Sequence, residues 1–126
     1  MKVWIEKYQR ATYPDVMAIA GEPAPYNNRK DTLTNPCLVI EVLSKSTMEY
    51  DQTEKFKRYR SLDSLQECVL VNQYDIEIQL YTRTDEGFWQ YRAYESLEDT
   101  VQLTSIETAI TVAEIYEGIE LEVQES

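Results

Sequence analysis

Two acidic residues, Asp15 and Glu41, stand where carboxylates can do chemistry. Glu41 interrupts the apolar run Val39-Ile40-Glu41-Val42-Leu43, and an ionised carboxylate among Ile and Val is costly unless a cation or hydrogen bonds compensate it. Asp15 follows Pro14 at the entry to another short apolar segment. Two carboxylates delivered from neighbouring strand ends form the all-oxygen site that hard divalent cations prefer, and Mg²⁺ usually takes one or two carboxylates plus water and substrate phosphate. An ion held there can polarise a phosphodiester and lower the pKa of an attacking water. Lys45, four residues past Glu41, and Lys55, on the helix expected next, are the cations that could join them. Each residue also has a plainer reading: an ion pair for Glu41, a turn cap for Asp15, a solvated helix surface for either lysine.

The chain has 126 residues, enough for one domain, and 43% of them are apolar, enough to build a core. It contains no His, which removes Ser-His triads, His-ligated zinc and imidazole acid–base catalysis together. Cys37 and Cys68 sit inside apolar runs and read as small buried hydrophobes. The N-terminus MKVWIEKYQR lacks the apolar core of a signal peptide, and no stretch approaches the length of a membrane span, so a cytoplasmic location is expected. The net charge of −11 is unevenly spread: residues 85–126 hold eleven acids and one base, whereas residues 1–84 are nearly neutral. Lys45, Lys55, Lys57, Arg58 and Arg60 fall close together, so one surface can be basic on an acidic chain.

The elements that must position these residues follow from local patterning. Residues 2–9 and 14–20 read as short strands broken at Thr12-Tyr13-Pro14, and the Pro- and Asn-rich residues 21–35 read as a loop. Residues 37–43 are apolar on both parities, as in a central strand covered on both faces. Capping-box spacings at Ser46–Glu49 and Asp51–Glu54 announce a helix from about Tyr50 to Arg60, with Phe56, Tyr59 and Leu62 as its apolar stripe. Residues 68–72 form a second buried strand, residues 76–82 a half-exposed one, and Asp85-Glu86-Gly87 a turn into residues 88–94. A short strand near residues 100–103 and a brief helix over residues 113–117, closed by Gly118, complete an α/β chain with a mixed sheet.

Taken in order, Tyr13-Pro14-Asp15-Val16, then Val39 through Thr47 (VIEVLSKST), then Tyr50-Asp51, Lys55-Phe56 and Tyr59-Arg60 resemble the Uma-two family of restriction-endonuclease-like proteins, within the PD-(D/E)XK nuclease superfamily. The similarity continues through Ser64-Leu65-Gln66-Glu67, Leu70-Val71-Asn72-Gln73 and Ala113 to Gly118. The resemblance implies a single restriction-endonuclease-like core over residues 1–126, a mixed β-sheet flanked by helices. It also implies a chain without the N-terminal section that such proteins usually carry, because only fourteen residues precede Asp15. It implies Asp15 and Glu41 as ligands of Mg²⁺ or Mn²⁺, DNA as partner and substrate, and no membrane. The superfamily lysine would fall at position 43, which is Leu43 here, so the resemblance carries it to Lys55, with Lys45 second. The competing expectation is a catalytically inert nuclease-like module for binding or assembly. In either case an exposed sheet edge would be covered by a second copy, giving a homodimer.

Overall fold

The structure is a computed structural model that describes residues 1–43 and 48–117. Its centre is a five-stranded mixed sheet in the order β3-β6-β7-β8-β9, built from β3 (Val16–Ala18), β6 (Leu38–Leu43), β7 (Glu67–Asn72), β8 (Ile78–Arg83) and β9 (Trp89–Tyr94). The apolar run ending at Leu43 is internal, as both-parity patterning predicts. It lies antiparallel to β3 and parallel to β7, the β6-to-β7 connection being carried by helix α1 (Met48–Tyr59). Parallel neighbours need such a crossover, and the helix covers the face it crosses.

Side chains of β6 alternate between two cores. Leu38, with partly buried Ile40 and Val42, packs against the hairpin of β10 (Thr100–Leu103) and β11 (Thr108–Thr111) and against α2 (Val112–Glu117). Val39 and Leu43 face the other way, toward Tyr59 of α1, Leu62, Leu65 and two residues of β1 (Lys2–Ile5), Val3 and Ile5. Strand β1 belongs to a small second sheet, β2-β1-β5-β4, with β2 at Arg10–Thr12, β4 at Pro25–Tyr26 and β5 at Arg29–Leu33. Tyr116 ties α2 to the sheet: its hydroxyl lies 2.6 Å from the Asn72 carbonyl oxygen and 3.0 Å from those of Asp75 and Glu77.

Several expectations are corrected. Residues 2–9 are not one strand: β1 stops at Ile5, a 3₁₀ turn occupies Glu6–Tyr8, and Gln9 adopts a left-handed conformation at φ 50° before β2 begins. The Gln9 amide secures this turn by donating to the Glu6 carbonyl at 2.8 Å and to its carboxylate at 3.0 Å. Residues 21–35 are not simply loop, since β4 and β5 form a hairpin whose two-residue turn, Asn27-Asn28, has φ of 49° and 61°. Positive φ at both positions is what a tight type I′ turn requires, and Asn tolerates it. Strand β11 was not expected at all. Helix α1 is already running at Asp51, so the Asp51–Glu54 box lies inside it, while the Ser46 box begins outside the described residues, as does Gly118 beyond α2. Cys37 and Cys68 are buried and unpaired, as expected. Among the described residues no helix is long and apolar enough to cross a membrane.

Candidate active site

Glu41 lies on the α1 side of β6 and is 2% exposed. Two side chains one helical turn apart on α1 hold it. The Lys55 ammonium sits 3.1 Å from Oε2, and the Tyr59 hydroxyl donates a short hydrogen bond to Oε1. An i, i+4 pair presents both groups on the same helix face, which is how one short helix grips both oxygens of one carboxylate. Lys55 remains 30% exposed, so its ammonium bridges the buried carboxylate and solvent.

Burial raises the Glu41 pKa above the usual carboxylate value of 4.5. The Tyr59 hydrogen bond and the Lys55 charge pull it down, and the negative charge of Asp15 pushes it up again. Tyr59 is pushed well above its ordinary value of 10.0 by burial and by the Glu41 charge, with a hydrogen bond to Thr12 acting in the opposite sense. It therefore stays protonated and keeps donating to Glu41 at every physiological pH.

Asp15 reaches the same place from the neighbouring strand. Val16 pairs with Ile40, so one step further out Asp15 stands opposite Glu41 across the end of β3. Its Oδ2 accepts a 2.7 Å hydrogen bond from the amide of Val42, the residue after Glu41. The side chain thus does for Val42 what the β3 backbone does for the residues before it, which fixes the carboxylate at the sheet edge. Two open grooves of about 510 and 420 Å³ border Asp15, but neither is lined by Glu41 or Lys55. The geometry, rather than cavity size, marks the site.

Of the residues singled out in the sequence, Glu41 and Lys55 are brought into direct contact, Asp15 is anchored beside them, and Lys45 lies outside the described residues. Sequence reasoning placed Tyr59 in the helix's apolar stripe and in the family motif but gave it no role at the site. Its spacing of four from Lys55 was the one local sign that it shares a target. A second buried carboxylate, Glu67, points to the opposite face and has neutral donors: Thr82 Oγ1 at 3.0 Å, Ser105 Oγ at 2.7 Å and the Ser105 amide at 2.8 Å. Those bonds pin the turn between β10 and β11 to the start of β7.

The Uma2 family, described as "Putative restriction endonuclease", matches residues 1–113. The chain belongs to the Uma2 family. Protein slr1290 of Synechocystis sp. is 39% identical over 121 residues, covering 94% of this chain and 61% of that protein. Protein sll1609 of the same organism is 38% identical over 89 residues, covering 71% of this chain and 50% of that one. The chain therefore spans between half and two thirds of the length of these relatives. A crystal structure from Anabaena variabilis, described as "a putative nuclease belonging to DUF820", superimposes with a TM-score of 0.69 at 13% identity, covering 92% of this chain and 64% of that one. At that identity the likeness speaks for the fold: this Uma2 member has the restriction-endonuclease-like α/β architecture expected from its motifs.

Asp15 and Glu41 supply hard, anionic oxygens of the kind Mg²⁺ and Mn²⁺ take, and the chemistry of this donor set fits such an ion. Among the described residues no group of three or more His, Cys, Asp or Glu side chains converges, so the remaining ligands of any such ion would be water, backbone oxygen or substrate phosphate.

Proposed function

We propose that this Uma2 protein is a Mg²⁺- or Mn²⁺-dependent endonuclease that hydrolyses DNA phosphodiester bonds at Asp15, Glu41 and Lys55. The observation that carries this reading is a nearly fully buried Glu41, gripped by Lys55 and Tyr59, directly beside an Asp15 carboxylate fixed at the adjoining strand end. Asp15 and Glu41 would hold the metal, with the main-chain carbonyl next to Glu41 assisting. Bound there, a divalent ion polarises the phosphodiester and lowers the pKa of its water.

The protein's own groups have separable tasks. Tyr59 keeps Glu41 in one orientation by donating to one oxygen. Lys55 carries three N–H donors and spends one on Glu41, so two remain to orient an attacking water and to offset negative charge developing on the phosphate. Asp15 is held by the Val42 amide through one oxygen, and its other oxygen has no hydrogen-bond partner among the described residues, so it can act as a ligand.

A second reading is a nuclease-like binding or assembly module in which the Lys55–Glu41–Tyr59 cluster is structural. It is favoured by the fact that both Glu41 oxygens already have protein donors. Incubation with supercoiled plasmid separates the two: the endonuclease nicks it with Mg²⁺ or Mn²⁺ and stops on addition of EDTA, whereas the module leaves it intact with either metal.

A further inference from the structure

The face of the central sheet beyond α1 is unlike the rest of this acidic chain. Across β8 and β9, Tyr81 stands opposite Tyr91 and Arg83 opposite Trp89. Helix α1 adds Phe56, whose ring stacks on Tyr81 at 3.9 Å and meets Trp89 edge-on at 5.2 Å. Two guanidinium groups lie over these rings, Arg83 at 4.7 Å from Trp89 and Arg60 at 5.7 Å from Phe56. Strand β9 is the outer strand of the sheet, and Tyr91 is 51% exposed.

Charge complementarity indicates what this face suits. The net charge is −11, yet the residues of β8 and β9 that share this face include no carboxylate. The nearest acids in sequence, Glu77 and Glu95, lie just past the far end of the two strands, beyond the Ile78–Tyr94 pair, while Asp85 and Glu86 sit on the turn beyond the Arg83–Trp89 pair. Arg60, directly after the end of α1 with its amide still bonded to the Phe56 carbonyl, is exposed, and Lys57, three residues before it, is exposed too. Aromatic faces interleaved with cations bind unpaired bases and their phosphates, because every base has a stackable face and each phosphate takes a cation. Bases inside a duplex already stack on one another and offer no such face.

We propose that this surface is a stacking platform for single-stranded nucleic acid, with Tyr91 and Trp89 meeting bases while Arg60 and Lys57 meet phosphates. The proposal rests on the nucleic-acid reading of the Asp15–Glu41–Lys55 site and narrows its substrate to one with an unpaired segment. Platform and site share a helix: Lys55 turns to Glu41 and the next residue, Phe56, turns to Tyr81.

The test is fluorescence anisotropy of labelled oligothymidine and of a labelled duplex of equal length, both in EDTA, so that binding is read without cleavage. A protein that binds single strands but never cuts would leave the platform standing and sink the nuclease reading. Single strand should bind more tightly than duplex. Tyr91→Ala should weaken it on the order of tenfold, and Arg60→Ala should weaken it and flatten its salt dependence. Arg92→Ala, on the opposite face of β9, should leave binding unchanged, with circular dichroism confirming that each variant is folded. Failure to bind the single strand at low salt, equal binding of duplex, or indifference to both Tyr91→Ala and Arg60→Ala would overturn the proposal. Loss of self-association in Tyr91→Ala, with no oligonucleotide bound by the parent protein, would overturn it in favour of a contact with a second copy.

Discussion

The Lys55 ammonium lies 3.1 Å from Oε2 of Glu41, joining the second half of α1 to the one acidic residue of the internal strand β6. The contact spans fourteen residues and links a partly exposed cation to an almost fully buried anion. Partial exposure keeps the ammonium hydrated while it neutralises the buried carboxylate, and it leaves Lys55 able to face a substrate.

Lys55→Ala should therefore lower cleavage on the order of a hundredfold, the scale of a charge-stabilising or proton-handling group. Lys45→Ala should cost less. Tyr59→Phe should cost about tenfold and raise the metal concentration needed for half-maximal rate, because it loosens the ligand rather than removing it. Initial rates against metal concentration distinguish the two kinds of loss.

Glu41→Gln should keep or raise thermal stability in EDTA. The sign follows from the raised pKa: the folded protein holds the Glu41 proton more tightly than the unfolded chain does, so wild-type stability is undiminished below about 4.5 and falls as pH rises through the folded-state value. The advantage of Gln should thus vanish in acid and appear toward neutrality. Thermal melts of both proteins across that range measure it.

Much of this was legible in the sequence because its signals are local. The both-parity apolar run marked β6 as central, and Glu41 stood out inside it as a charge in need of a partner. The hairpin of β4 and β5 was hidden because its turn is Asn27-Asn28 within a Pro- and Asn-rich stretch, the same composition as an irregular loop. The break after Ile5 was hidden because KVWIEKYQ alternates like a strand and Gln9, not Gly, takes the left-handed position. The Tyr59 hydroxyl's target has only the spacing of four from Lys55 as a local sign, and the contact of Lys55 with Glu41 has none. Each depends on how far α1 lies from β6, which is set by packing among Leu43, Tyr59, Leu62 and Leu65.

Tyr116→Phe should destabilise the protein by about 1–3 kcal/mol, since it strips a partner from the backbone groups around Asn72 and Glu77 that its hydroxyl satisfies. Burial raises the Tyr116 pKa above 10.0. Its contribution is therefore complete below that value and is lost as pH climbs through the folded-state pKa. Denaturant titrations at neutral and alkaline pH should show the gap between wild type and variant closing in alkali.

The most direct measurement is nicking of supercoiled plasmid by wild type, Asp15→Asn and Glu41→Gln, each verified as folded, with Mg²⁺ or Mn²⁺ and with EDTA. The site assigned here requires metal-dependent nicking by wild type, its abolition by EDTA, and its loss in both variants, because each deletes a negative charge while nearly preserving shape. Nicking that survives both substitutions, or a folded wild type that leaves the plasmid intact with either metal, would contradict it.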